Sequence, residues 1–251
     1  MSATPTREPE PPAGIVSFAR GQLRFVPDPR QAEVLESTAK RGILNCTRQW
    51  GKSTVAAIKA LHTAYSKPKS LVLVASPGER QSAEFLKKAE ELVLRLNIKP
   101  RGDGKNSCSL LLPNGSRIIG LPGTEATVRG FSSVSLLLID EAARVSDALY
   151  KALRPMLAVA DGDLWMMSTP CGKQGFFYET WQNGGSQWHR ISVPATQCPR
   201  ISKTFLDEEL KATGSTSFRQ EYLCEFAAGN RQMFNPDLLN AMLSDIEPLR
   251  L

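Results

Sequence analysis

Short, largely apolar runs alternate along the chain with longer stretches whose apolar residues recur every three or four positions. Strands are expected at 43–46, 70–75 (SLVLVA), 134–139 (VSLLLI), 163–169 (DLWMMST) and 188–193, of which 70–75 and 134–139 are the most continuously apolar. A run without polar alternation predicts a strand covered on both faces, as in a parallel sheet between helical layers. Between the runs, Val55, Ile58, Leu61 and Tyr65 mark the buried stripe of a helix that ends before Pro68. Phe85, Ala89, Leu92 and Leu96 do the same for a helix started by Pro77. Shorter helices are predicted over 31–39, introduced by Pro27-Asp28-Pro29-Arg30, and over 146–153. Phe176, Phe177 and Tyr178 read as core. A helix over 202–213 is closed by Gly214. Ser217 and Gln220 have the spacing of a capping box, opening a helix in which Phe218, Tyr222 and Phe226 share a face.

Asn114-Gly115, between apolar stretches at 107–112 and 117–121, is a strong hairpin signal. The fold class expected is therefore α/β: a mostly parallel central sheet flanked by helices, with an antiparallel hairpin addition. Residues 1–14 are proline-rich and read as a disordered arm, with folding from about Ile15 to 228. Residues 229–251 have weak pattern and read as a linker or lid.

Composition narrows the classes. A 41% hydrophobic and 22% charged chain of 251 residues suits a globular protein of one large α/β domain or one and a half ordinary ones. With no apolar run near the roughly 18 residues of a membrane helix, no membrane partner is expected. The five cysteines form no C-x-x-C pair, which argues against zinc or a disulfide framework and for a reducing cytoplasm. Two histidines leave little room for histidine chemistry. A net charge of +6 permits contact with a polyanion.

The stretch ILNCTRQWGKSTVA reads as a strand, a tight polar loop and a helix opening at Gly51-Lys52-Ser53-Thr54. That is the layout of a phosphate-binding loop, with Cys46 where the usual pattern has its first glycine. Backbone N–H groups and a helix N-terminus favour an anion there. Lys52 is the candidate for the β- and γ-phosphates and Ser53 for Mg²⁺. The run at 134–139 ends in Asp140-Glu141. Two adjacent carboxylates at a strand tip are costly unless charge is needed. In a nucleotide-hydrolysing site Asp140 would hold the metal and Glu141 would act as general base. Without the phosphate loop the pair would read as an acidic helix cap. Ser168-Thr169-Pro170 tips the next strand, either as a phosphate-sensing motif or as ordinary loop chemistry.

Taken together these features resemble the ATPase domain of the large terminase subunit, the genome-packaging motor of tailed phages. The resemblance rests on Gln31, similar to an adenine-contacting glutamine, and on the variant loop Cys46-Thr47-Arg48-Gln49-Trp50-Gly51-Lys52-Ser53. It rests also on Val128-Arg129-Gly130 ahead of Leu137-Leu138-Ile139-Asp140-Glu141-Ala142, on Ser168-Thr169-Pro170 with Gly172, and on Phe218-Arg219-Gln220-Glu221-Tyr222 with Glu225-Phe226. It implies a P-loop NTPase of the additional-strand, catalytic-glutamate type, which uses ATP and Mg²⁺. Residues 46–54 and Gln31 would bind ATP, Ser53 and Asp140 the metal, and Ser168, Thr169 and Pro170 would couple hydrolysis to motion. It further implies a homopentameric ring on the portal protein, with the small terminase subunit and double-stranded DNA as partners, in the host cytoplasm. Arg129 would be a finger into the neighbouring site, with Arg48, acting in cis, as the alternative. Large terminases usually continue into a nuclease domain, and no nuclease activity is expected of these residues. A pore loop is expected, with 101–105 as candidate. Two other readings stand beside the motor: a helicase-like DNA-dependent ATPase, and a nucleotide-binding assembly module with little turnover.

Overall fold

The computed structural model describes residues 14–121, 123, 128 and 130–227. The described elements run α1 (Ile15–Gly21), α2 (Pro29–Glu36), β1 (Arg41–Cys46), α3 (Lys52–Ser66), β2 (Leu71–Ala75), α4 (Glu79–Arg95), β3 (Ser109–Leu111), β4 (Arg117–Leu121) and β5 (Leu136–Asp140). They continue as α5 (Asp147–Leu153), β6 (Asp163–Ser168), α6 (Gly175–Asn183), β7 (His189–Val193) and α7 (Lys203–Leu223).

The strands form one seven-stranded sheet in the order β3-β4-β2-β5-β6-β1-β7. Every neighbouring pair is parallel except the β3–β4 hairpin, whose turn carries Gly115 at φ 82. β6 is inserted between β1 and β5, with Asn45 opposite Ser168 and Asp140 opposite Met167. The carboxyl ends of β1, β6 and β5 therefore line up in one row, where ligands of such sheets bind.

Side-chain alternation along each strand divides the core in two. Val72, Val74, Leu136, Leu138, Trp165 and Met167 pack on the face covered by α3 and α4. Leu73, Leu137, Ile139, Leu164 and Met166 pack on the opposite face with residues of α5 and α6. This explains why β2 and β5 read as unbroken apolar runs.

Several boundaries differ from expectation. α2 begins at Pro29 rather than Gln31, because Asp28 accepts from the Gln31 N–H at 2.8 Å and Pro29 fits the first helical position. It stops at Glu36, short of Ala39, where Ser37 turns extended. The capping box is this Asp28–Gln31 pair, whereas Gln220 accepts from the Gly172 N–H at 3.2 Å instead of closing a box with Ser217. α7 breaks at Gly214 (φ 77, ψ 162), as the glycine signalled, and resumes through Leu223. Phe218 and Tyr222 pack together at 5.2 Å, but Phe226 does not share their face. The helix ends at Leu223, Cys224 after it is left-handed, and Phe226 packs on α6 instead, 5.1 Å from Tyr178. α1 and α6 were not among the helices expected and are found only in the structure.

Lys59 lies in the α3 face that meets α2 and β6. Its ammonium stands 4.3 Å over the Trp165 ring and donates to the Ser37 carbonyl at 3.2 Å, near the α2 C-terminus. Burial lowers its pKa to about 8, with Asp163 opposing. Between about 8 and the unfolded value near ~10.4, the unfolded chain thus binds the extra proton, and stability rises with pH. We expect the stability difference between wild type and Lys59→Met to change across pH 8 to 10, by up to about 1.4 kcal/mol per pH unit in favour of wild type. Denaturant melts of both proteins across that range measure it; parallel pH profiles would contradict it.

Candidate functional site

The phosphate loop is shaped by its backbone. Gln49 at φ 62 and Gly51 at φ 94 both adopt left-handed conformations, turning the chain so that α3 starts at Lys52. The Gly51 carbonyl accepts from the N–H groups of Thr54 (3.0 Å) and Val55 (3.1 Å). A Cβ on Gly51 would meet Gln31 Nε2 at 3.1 Å, so glycine serves both the turn and the close approach. Gln31 is buried behind the loop. Its Nε2 donates to the Trp50 carbonyl and its Oε1 accepts from the Asp28 N–H, both at 3.0 Å. One amide hydrogen and one lone pair are left over. Arg200 also donates to the Trp50 carbonyl and pairs with Asp28 at 3.2 Å, a prop that no motif signalled.

The other loop residues divide by burial. The side chains of Cys46 and Trp50 sit in the core, so toward the loop they offer only backbone. Burial holds the Cys46 thiol well above its ordinary pKa, with Cys224 adding and Lys52 opposing, which leaves it a packed hydrophobe rather than a nucleophile. Thr47, also buried, donates to the Glu221 carbonyl at 3.1 Å. Arg48 pairs with the Glu221 carboxylate at 2.6 Å.

Opposite the loop, β5 delivers Asp140 and Glu141. Glu141 has φ 50 and ψ 41, a left-handed position that a non-glycine residue adopts at some cost. The Glu141 N–H donates to Asp140 Oδ1 at 3.0 Å. Ser53 Oγ donates to Asp140 Oδ2 at 3.0 Å, and Lys52 Nζ lies 2.8 Å from Glu141 Oε1. Four expected site residues from two elements thus converge. Burial pushes the Asp140 carboxyl up, Lys52 opposes this, and Glu141 adds to it. A buried carboxylate held against a hydroxyl suits a hard cation that keeps other oxygen ligands, as Mg²⁺ does. Among the described residues no cluster of three or more His, Cys, Asp or Glu could hold a metal by itself. A cleft of about 290 Å³ opens beside these groups, lined by Ser53, Asp140 and Glu141 and by Arg80, Gln81 and Lys88 of α4.

The β6 tip joins through an arginine that sequence reasoning missed. Arg144, in the 3-10 turn Ala142–Arg144, lies 3.1 Å from Glu141 Oε2 and donates to Thr169 Oγ1 at 3.1 Å. It also lies 3.4 Å from Glu221. Its only sequence signal was the i,i+3 spacing from Glu141. Ser168 is buried and donates to the Thr169 carbonyl at 2.6 Å, and Pro170 is buried beside it. Arg129 lies outside the described residues. The expected pore loop 101–105 is tied to the sheet edge: the Arg101 carbonyl accepts from Leu111 at 2.8 Å, and Arg117, the first residue of β4, lies 3.6 Å from Asp103.

A family profile described as terminase large subunit, T4-like-virus type, N-terminal, matches residues 43–241. The chain belongs to that family. The large terminase subunit of Thermus phage G20c is 25% identical to this terminase chain over 252 aligned positions, covering 85% of it and 51% of the phage protein. That of Thermus virus P23-45 is 24% identical with the same coverage. The chain spans about half the length of these curated relatives. Among solved structures, the large terminase ATPase domain of Thermus phage P74-26 superposes with a TM-score of 0.75 at 21% identity, covering 86% of this chain and 100% of that one. The large terminase of bacteriophage HK97 gives 0.68 at 18%, covering 84% and 54%. That of a thermophilic bacteriophage, in complex with ADP, gives 0.66 at 10%, covering 85% and 52%. The fold is thus the P-loop NTPase fold of terminase ATPase domains. Among the described residues no helix is long and apolar enough to cross a membrane.

The raised Asp140 pKa predicts a stability cost for keeping this site charged. Sign follows from the shift: the cost sets in as pH rises through the unfolded value near ~3.9 and is complete above the folded value. Asp140→Asn, whose remaining oxygen can accept from the Glu141 N–H and whose amide can donate to Ser53 Oγ, should raise ligand-free stability at pH 7. The gain should shrink toward about pH 4. Thermal melts across that range check this; a destabilised variant at neutral pH would count against it.

Proposed function

We propose that the chain hydrolyses ATP and that this drives double-stranded DNA into a viral procapsid. One observation carries the reading: Lys52 and Ser53 from the phosphate loop stand 2.8 and 3.0 Å from Glu141 and Asp140 of the β5 tip. An ammonium, a hydroxyl and two carboxylates so arranged are what phosphoryl transfer to water requires. The relatives' names, and the ADP bound to the large terminase of the thermophilic bacteriophage, support the same reading.

Backbone of residues 46–54 would cradle the phosphates at the α3 N-terminus, with Lys52 turning from Glu141 to the β- and γ-oxygens. Ser53 and Asp140 would hold Mg²⁺, which when bound offsets phosphate charge. Glu141 takes a proton from water as the water oxygen bonds to the γ-phosphorus. The bond to the β–γ bridging oxygen breaks, and ADP leaves with that electron pair. The spare hydrogen and lone pair of Gln31 match an adenine edge. Ser168, Thr169 and Pro170 would carry the phosphate state into β6. The net charge of +6 supports DNA as a partner. By family membership the assembled form would be a homopentamer on the portal protein, supplied with DNA by the small terminase subunit in the host cytoplasm, and Arg129 would reach the neighbour's site.

Glu141→Gln should retain ATP binding and lose turnover by roughly 10²-fold or more. Lys52→Ala should lose ATP affinity itself. Equilibrium binding and steady-state hydrolysis separate the two; wild-type turnover in the first variant, or an unchanged dissociation constant in the second, overturns the assignment. In mixed rings, Arg129→Ala subunits should regain activity beside Glu141→Gln subunits, since each supplies what the other lacks. Mixtures that stay inactive would place Arg129 in a role within its own subunit.

A further inference from the structure

The two oxygens of Glu141 have different partners. Oε1 faces Lys52 Nζ at 2.8 Å, and Oε2 faces Arg144 Nη1 at 3.1 Å. Lys52 is the group that a polyphosphate would draw away. Once it leaves, a carboxylate with no second partner could rotate freely about its side chain. Arg144 is placed to prevent this. Its turn is closed by the Arg144 N–H donating to the Glu141 carbonyl at 2.9 Å, which brings the guanidinium beneath the carboxylate three residues earlier.

Arg144 is itself held from two further sides. Nη1 donates to Thr169 Oγ1 at 3.1 Å, and Nη2 lies 3.4 Å from Glu221 Oε1. Glu221 in turn accepts from Arg48 Nε at 2.6 Å. Lys52–Glu141–Arg144–Glu221–Arg48 is therefore an alternating chain of charges that starts and ends in the phosphate loop. An exposed ion pair contributes little. Here one planar fork serves three acceptors on the β5 tip, the β6 tip and α7, and the Arg144 side chain is only 30% exposed. A lone arginine this close to a triphosphate would be expected to swing onto it. Glu221 and Thr169 oppose that swing.

We infer that Arg144 is the positioning residue of Glu141. It anchors Oε2 so that Oε1, released by Lys52, is free to take the proton of the attacking water. Because the same nitrogen bonds Thr169, a shift of the β6 tip pulls on the base, and Arg144 ties Thr169 to the timing of hydrolysis. The inference rests on the reading of Glu141 as general base.

The test combines steady-state hydrolysis by this chain in the presence of duplex DNA with equilibrium binding of a fluorescent ATP analogue. Arg144→Ala should lower kcat roughly 10²-fold while the dissociation constant stays within about two-fold. Arg144→Lys, which keeps the charge but loses the fork, should recover part of kcat with the same affinity. Arg144→Ala turnover within about two-fold of wild type, or weakened binding with kcat intact, overturns the inference. Should the alanine variant fail to fold, the lysine variant decides: reduced kcat at unchanged affinity supports it, full turnover overturns it. Glu141→Gln runs alongside. A dead Glu141→Gln beside a fully active Arg144→Ala sinks the role of Arg144 alone, whereas an active Glu141→Gln sinks the base assignment beneath it.

Discussion

Two adjacent carboxylates at a buried strand tip repel each other and lose hydration, and the ammonium of Lys52 is what makes that tip tenable. It contacts Glu141 directly and opposes the upward push on Asp140. The Lys52–Glu141 pair is partly buried, and its value lies in what it commits to rather than in net stability. With the lysine engaged, the loop and the β5 tip are held in one geometry. On the proposed function, phosphate would recruit the lysine, and the negative charge left behind would call for a cation and a proton to accept.

That geometry depends on the sheet. β1 and β5 flank β6, so their tips stand two strand spacings apart, roughly 10 Å. A side chain starting at the tip of β5 could not span this alone. The phosphate loop turns back through Gln49 and Gly51 so that the first residue of α3 projects toward β5, and the long lysine stem completes the distance. The inserted β6 ends in the same row, which is why Thr169 lies within reach of a side chain that also touches Glu141.

What the sequence revealed and what it hid follow from how local each signal is. The apolar runs, the Gly-Lys-Ser tripeptide and the Asp-Glu pair report on their own positions, and the sheet, the hairpin and the four residues that converge were legible from them. α6 was not, because three consecutive aromatics, Phe176-Phe177-Tyr178, mask the four-residue spacing of Phe177 and Trp181. The packing of Phe226 on Tyr178 depends on a left-handed Cys224, which leaves no compositional trace. Arg144 became meaningful only when the turn after β5 met Glu221 of α7, 77 positions away in the chain. The double engagement of Gln31 was hidden likewise: the carbonyl it holds belongs to Trp50, across the phosphate-loop strand.

Gly42, on the strand that launches the phosphate loop, lies opposite Trp165, and a Cβ there would overlap the indole. That indole donates to the Ala39 carbonyl at 3.1 Å and underlies the Lys59 ammonium. Volume at the two positions is therefore shared rather than independent. Within the lineage of this chain, a bulkier residue at the first position is compatible with an intact loop only if the second shrinks in step, so the pair should drift as one unit through evolution and resist replacement singly.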